Sequence, residues 1–188
     1  MSGNTFEIQL YDSNRPLISA EWHKVLLQIF GKDAKIEWHP KSKIAQLGIG
    51  IDAIVTDKTG RKHLVDVKTR RRKYFENPTY LLELQVLYYA TRAKVNKVGH
   101  KAGWLYSSGA THVVMGTITE DKNTILEVCC FTIQELSAPS FASNISQLRT
   151  TMVEGDYQDS GRGSWTVNAM IHKDLLESYV KVFKYFKT

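Results

Sequence analysis

The stretch Gly48-Ile-Gly-Ile-Asp52-Ala-Ile-Val-Thr56-Asp-Lys-Thr-Gly60-Arg-Lys-His-Leu-Val-Asp66-Val-Lys68-Thr69 decides how this chain is read. Two apolar arms, Gly48–Thr56 and Lys62–Lys68, flank a polar turn over Asp57, Lys58, Thr59 and Gly60, the pattern of a β-hairpin. Side chains two apart on a strand point the same way. Asp66 and Lys68 therefore project together, and Val65 and Val67 face the other side. Asp52 lies on the partner arm among Ile51, Ala53 and Ile54. Isolated charges are expensive in such apolar surroundings, so two carboxylates and an amine placed there point to chemistry.

Outward from the hairpin, apolar residues Ile18, Trp22, Val25 or Leu26, and Ile29 recur at helical spacing and Gly31 follows, which predicts a helix over Ile18–Phe30. A short strand is expected at Lys35–Trp38, ending at Pro40. Beyond the hairpin, a basic loop from Thr69 to Pro78 leads to a segment apolar on more than one face. That segment predicts a largely buried helix over Thr79–Lys94. Strands follow at His112–Thr119 and Ile125–Phe131, around a polar turn at Glu120–Asn123. The stretch Ser137–Arg149 is ambiguous, and Glu154–Ser164 reads as a loop. A final helix is expected over Lys173–Phe186, with Leu175, Leu176, Tyr179, Val180 and Phe183 as its apolar stripe. This order implies an α/β fold, a mixed central β-sheet flanked by helices. The expected organisation is one domain over 1–188, with a core over about 18–131 and a helical addition over about 133–188.

At 188 residues, 43% hydrophobic and 23% charged, the chain suits one soluble globular domain. No apolar run is long enough to span a bilayer, and the N-terminus lacks the basic and apolar segments of a signal peptide. The only cysteines, Cys129 and Cys130, are adjacent, which suits neither a stapled fold nor a zinc site. A cytoplasmic setting is expected. The net charge is +6, and Arg61–Lys73 holds seven basic residues against one acid, Asp66. Such a run is a candidate phosphate-binding surface or a solvated turn.

Two carboxylates held close together repel, and a divalent cation relieves that repulsion. Asp52 and Asp66 suit Mg²⁺ or Mn²⁺, hard ions that prefer oxygen and keep some water. Such an ion polarises a phosphate oxygen and lowers the pKa of a bound water. Lys68 beside it can orient or deprotonate that water and stabilise charge on phosphorus. This is the chemistry of phosphodiester hydrolysis. An ordinary Asp–Lys ion pair across a hairpin is the bland alternative.

Asp52 followed by Asp66-Val-Lys68 resembles the signature of the PD-(D/E)xK nuclease superfamily. Asp66-Val-Lys68-Thr69 and the later Leu84-Gln85-Val-Leu-Tyr88-Tyr89-Ala90 are similar to motifs of its RecB-like branch, and the resemblance covers roughly Ile18 to Phe131. It implies a restriction-endonuclease-like core and a Mg²⁺- or Mn²⁺-dependent deoxyribonuclease with Asp52, Asp66, Lys68 and Gln85 as catalytic groups. It implies a metal site of Asp52, Asp66, Val67 and the first-helix Glu21, with Glu37 a weaker substitute. Gln85 would position water or phosphate, with Tyr89 beside it as buttress and nucleic-acid contact. Arg70, Arg71, Arg72 and Lys73 leave the catalytic strand directly, where a clamp on the nucleic-acid backbone belongs. Trp104 and Tyr106 are candidates for stacking on bases, though Trp104 reads better as core. His63, His100 and His112 have no metal-ligand spacing. The chain departs from the branch in placing Ile49, not glycine, three residues before Asp52. It lacks four cysteines for an iron–sulfur cluster. The segment from Gly103 to Met115 looks more like stand-alone resolvase and phage-type nucleases, and a viral origin would make the setting a host cytoplasm. The competing readings are a non-catalytic nucleic-acid-binding or inhibitory protein on the same fold, and an RNA endonuclease.

Overall fold

A computed structural model of the chain describes residues 16–38, 50–70, 79–89, 97–119, 124–136, 141, 144–145, 147–155, 163–179 and 184–187. Helix α1 (Pro16–Phe30) is followed by strands β1 (Lys35–Trp38), β2 (Ala53–Thr56) and β3 (Lys62–Arg70). Strands β4 (Thr79–Tyr89) and β5 (Lys97–Ala102) come next, then the single helical turn α2 (Trp104–Ser107), β6 (His112–Ile118) and β7 (Ile125–Thr132). The chain continues through α3 (Ile133–Leu136), β8 (Thr150–Gly155), β9 (Gly163–His172), α4 (Lys173–Tyr179) and β10 (Lys184–Lys187). None of the helices described is long and apolar enough to cross a membrane.

The strands form two sheets. The larger has the order β1-β2-β3-β6-β7-β10, the smaller β5-β4-β9-β8. β2 and β3 pair antiparallel as the expected hairpin, with Ala53 opposite Val65 and Thr56 opposite Lys62. Asp57 organises the turn between them. Its Oδ1 accepts from the Thr59 amide at 2.8 Å, the Thr59 hydroxyl at 2.6 Å and the Arg61 amide at 3.1 Å. The Thr59 hydroxyl and then His63 hold its carboxyl below the usual carboxylate range. β3 and β6 pair in parallel, with Asp66 opposite Val113 and Lys68 opposite Met115. The fold is thus mixed α/β. A parallel pair requires a crossover, and here the crossover carries β4, β5 and α2.

Each face of the large sheet buries its own apolar cluster. On one side α1 lays Trp22, Val25, Leu26 and Ile29 against Ala53, Val55, Val65, Val114, Val128 and Cys130. On the other, Val113, Met115, Cys129 and Phe131 meet Tyr80 and Leu82 of β4, Ala169 and Ile171 of β9, and Leu105 and Leu176. The fold is therefore the expected mixed α/β, with a helix on one face of the large sheet and a second sheet on the other.

Two expectations are corrected by these elements. The segment Thr79–Lys94 is not a helix, because its described part, Thr79–Tyr89, is a strand paired with β5 on one edge and β9 on the other. A segment apolar all round fits a buried strand as well as a buried helix, and periodicity alone does not separate them. The addition over 133–188 is not mainly helical. Strands β8 and β9 belong to the second sheet, and the expected last helix ends at Tyr179 before β10, which pairs with β7. Val180 and Phe183 lie outside the described residues, as do 156–162 of the expected loop and 137–140 of the ambiguous stretch. The first hairpin arm also starts later than expected. The ladder begins at Ala53, and residues 48–49 lie outside the described set.

The close approach of α1 to β6 depends on Gly116. A Cβ built there would stand 2.5 Å from Trp22 Cη2 and 3.2 Å from Ile125 Cγ2. Overpacking of this kind costs about 1–3 kcal/mol. Gly116→Ala is expected to lower the thermal unfolding midpoint by that equivalent, and the loss should shrink in a Trp22→Phe background. An equal loss in both backgrounds would show that the ring is not what Gly116 accommodates.

Candidate active site

The large sheet places Asp66 and Lys68 on the face turned away from α1, as strand alternation requires. Asp52 reaches them from the residue before β2. Its amide donates to the Val65 carbonyl at 2.8 Å, and its Oδ2 accepts from the Val67 amide at 2.7 Å. A side-chain carboxylate thus takes the place of a ladder carbonyl at Val67, which sets Asp52 beside Asp66.

Asp66 is 1% exposed. Its Oδ1 accepts from Lys68 Nζ at 2.9 Å, while its Oδ2 is buried with no hydrogen-bond partner among the described residues. Burial pushes its carboxyl up to about 7, helped by the neighbouring Asp52 and opposed by Lys68. For Lys68 the order of effects differs. Burial works against its charge, and Asp66, Asp52 and Glu83 outweigh it and hold the amine above its usual value. The Lys68 ammonium also lies 5.9 Å from the centre of the Trp104 ring.

The space beside the unpartnered oxygen is kept open by Gly50. It has φ +63°, a conformation that glycine adopts without strain. A Cβ there would stand 3.6 Å from Asp66 Oδ2 and 3.4 Å from Ser108 Oγ. Ser108 itself accepts from the Ala110 amide at 3.1 Å.

The expected site residues divide as follows. Asp52, Asp66 and Lys68 come together, and Val67, expected in the metal set, is placed here by its amide, which donates to Asp52 and is no metal ligand. Glu21 does not. It pairs with Lys24 at 2.7 Å on α1, which packs against the opposite face of the sheet. Glu37 is exposed on β1. Among the described residues no group of three or more His, Cys, Asp or Glu is placed to share a metal ion, and neither glutamate is brought beside Asp52 and Asp66. Gln85 sits half-buried on β4 between Ala102 and Val167, and the helical face expected to carry it together with Tyr89 is absent. No hydrogen bond joins it to Asp52, Asp66 or Lys68 among the described residues. The group from this strand that acts on Lys68 is Glu83, two residues earlier. The side chains of Tyr89 and Arg70, and all of Arg71, Arg72 and Lys73, lie outside what is described. Trp104 is not fully core. It is half-buried and flanks Lys68, and Tyr106 is 53% exposed.

His63 and His112 do meet, though not as ligands. Their rings stand edge to face at 5.0 Å and both contact Phe30, while His63 Nε2 lies 3.0 Å from Asp57 Oδ2. The His100 side chain lies outside the described set. A helical reading misses Glu83 because it sends Glu83 and Gln85 to different sides. The signal that finds it is the alternation Leu82-Glu83-Leu84-Gln85-Val86, which is that of a strand.

No family model matches the chain, and neither a curated protein nor a solved structure matches it significantly.

Asp66 ties stability to pH. In the unfolded chain it titrates near 3.8, in the folded protein near 7. Below the lower value the group is neutral in both states and costs nothing. Between the two values the unfolded chain gives up the proton and the folded one keeps it, so stability falls as pH rises, down to a floor above about 7. Asp66→Asn lacks this penalty. Its melting temperature relative to wild type, both without divalent cation, is expected to rise between pH 4 and pH 8. A constant difference across that range would mean that Asp66 ionises without cost.

Proposed function

We propose that this protein is a divalent-metal-dependent nuclease of the PD-(D/E)xK type that hydrolyses phosphodiester bonds in DNA. The observation that carries the reading is the buried, unpartnered Oδ2 of Asp66, set beside Asp52 and Lys68 with the Gly50 backbone leaving space next to it. An ion pair kept only for structure would satisfy both carboxylate oxygens, because a buried polar atom left bare costs about 1–3 kcal/mol. The order of elements supports the same reading. A helix, three antiparallel strands and a crossover to a strand parallel to the third put the Asp-x-Lys motif mid-strand under a second layer.

The donor set suits Mg²⁺ or Mn²⁺. Such ions are held by one or two carboxylates and retain several waters, and Asp52 with Asp66 offers that number. When bound, the ion neutralises the two carboxylates and acts as a Lewis acid on a phosphate oxygen. The chain's own residues do the rest. Asp52 is oriented by the Val67 amide, so one of its oxygens is fixed and the other is directed by the same bond. Asp66 anchors the Lys68 ammonium through Oδ1 and keeps Oδ2 free. Lys68, still charged between its carboxylates, presents a cation to the negative charge that grows on the phosphate oxygens during attack. Partial burial under Trp104 and the second sheet strengthens that interaction by limiting water.

The test is incubation of the purified chain with linear, circular, single-stranded and branched DNA, and with RNA, in Mg²⁺ or Mn²⁺. Metal-dependent cleavage of DNA is expected, abolished by EDTA and by Asp52→Asn or Asp66→Asn. Lys68→Ala should slow single-turnover cleavage by about 10²–10³-fold, the usual loss for one electrostatic stabiliser, and retain Mn²⁺ binding. Full activity in Asp66→Asn would end this reading, and cleavage of RNA alone would move it to ribonuclease.

The basic run leaving β3 supplies the expected contact with the phosphate backbone. Replacing Arg70, Arg71 and Lys73 with alanine should flatten the salt dependence of DNA affinity, by roughly one unit of slope for each phosphate that the variant no longer neutralises. An unchanged slope would assign the run to a solvated turn.

A further inference from the structure

We propose that Glu83 is a positioning residue for Lys68, clamping the Trp104 turn onto β4 and, together with that ring, fixing the Lys68 ammonium beside Asp66. The proposal rests on the nuclease reading of the site and adds to it a residue from the crossover.

Three features of the backbone and side chains place Glu83. The pairing of β4 with β9 slips between Glu83 and Gln85, so Leu84 is an extra residue and the strand bulges there. Bulges re-aim side chains next to functional sites. The turn from Gly103 is pressed onto this bulge. The Gly103 amide donates to the Leu84 carbonyl at 2.9 Å, and a Cβ on Gly103 would stand 2.3 Å from the Glu83 carbonyl oxygen. Finally, the Trp104 amide donates to Glu83 Oε1 at 3.1 Å. The Glu83 side chain and the Leu84 carbonyl thus hold the turn whose first ring flanks Lys68 at 5.9 Å.

A neutral acceptor would serve the Trp104 amide equally well, so the charge of Glu83 calls for a separate reason. Among the described residues the Glu83 side chain makes this one hydrogen bond, and its charge, after those of Asp66 and Asp52, favours the charged form of Lys68. Lys68 therefore has Asp66 in direct contact at 2.9 Å and the Trp104 ring at 5.9 Å, and it feels the charges of Asp52 and Glu83 as well. A lysine has a flexible four-carbon stem. The Asp66 carboxylate, the Trp104 ring that Glu83 holds in place and the charge of Glu83 together restrict that stem to the position from which the ammonium meets a phosphate oxygen.

Glu83→Gln separates the two roles, because the amide keeps an oxygen for the Trp104 amide and removes only the charge. The expected result is an unfolding midpoint near that of wild type, unchanged Mn²⁺ affinity and unchanged KM, with kcat lowered roughly ten- to a hundredfold, the scale of a misplaced group. Nuclear magnetic resonance of ¹⁵N-lysine-labelled protein gives a readout without cleavage. The Lys68 ammonium signal, assigned with Lys68→Ala, should be protected from solvent exchange in wild type and broadened in Glu83→Gln. Trp104→Leu leaves Glu83 and its backbone bond in place and should broaden the same signal. Wild-type kcat with an unchanged Lys68 signal in Glu83→Gln would reduce Glu83 to a structural clamp and overturn the proposal, as would a loss of folding in that variant with Trp104→Leu leaving the signal sharp. If wild type cleaves no nucleic acid, the nuclease reading fails, and the Lys68 signal still decides the role of Glu83.

Discussion

The hydrogen bond from the Val67 amide to Asp52 Oδ2, at 2.7 Å, is the constraint on which the site depends. Backbone amides inside a sheet must find acceptors, and beyond Val65 the hairpin partner has no paired strand to offer one. Asp52 fills the gap with its side chain. That substitution closes the β2–β3 ladder without an orphaned donor and brings a second carboxylate to Asp66. The electrostatic cost falls on Asp66, whose carboxyl is pushed up to about 7 by burial first and by Asp52 after it. Strand pairing and site chemistry are therefore one arrangement, and the hairpin cannot be regularised without dismantling the carboxylate pair.

The two layers around the large sheet have separate duties. The α1 side is mainly apolar, packed around Trp22 and Leu26 with His63 and His112 against Phe30, and burial of a large apolar side chain there contributes roughly 1.5–3 kcal/mol. The opposite side mixes a core with charged groups. Its apolar part, centred on Phe131, Tyr80 and Ile171, seats the second sheet, and that seating determines where the bulge at Leu84 and the turn after Gly103 arrive. Stability drawn from well-packed apolar contacts offsets the cost of a bare carboxylate oxygen on the same face of the sheet, the usual division between scaffold and strained site.

The hairpin is legible in the sequence because its signals agree. Polar turn residues separate two apolar arms, and Asp66 and Lys68 alternate with Val65 and Val67. Helix α1 and strands β6 and β7 are legible for the same reason, one period sustained over the element. The segment from Thr79 defeats such a reading because Leu81, Leu82, Leu84, Val86 and Leu87 satisfy either period, and what settles it is pairing with β9, far along the chain. The helical misreading carries Gln85 with it and hides Glu83. Glu21 fails for a different reason. Its helix does face the sheet, but a position on the apolar flank says nothing about which face of the sheet the helix covers. The meeting of His63, His112 and Phe30 cannot be read from the sequence at all, because it depends on the parallel register of β3 and β6.

The pairing of β4 with β9 has a consequence for the order in which the molecule assembles. The β2–β3 hairpin joins near neighbours, whereas Tyr89 finds Gly163 only after the chain closes a long loop. Local contacts form early and distant ones late. Asp52, Asp66 and Lys68 can thus gather while the chain is still incomplete, but Glu83 and the Trp104 turn take their places only when β9 has docked. A folding intermediate with the hairpin formed and β9 undocked would expose the carboxylates to water and leave Lys68 untethered. Docking of β9 is then the event that closes the second sheet over the hairpin, so that the arrangement of Asp52, Asp66 and Lys68 with the Trp104 turn reports that the two ends of a long loop have met.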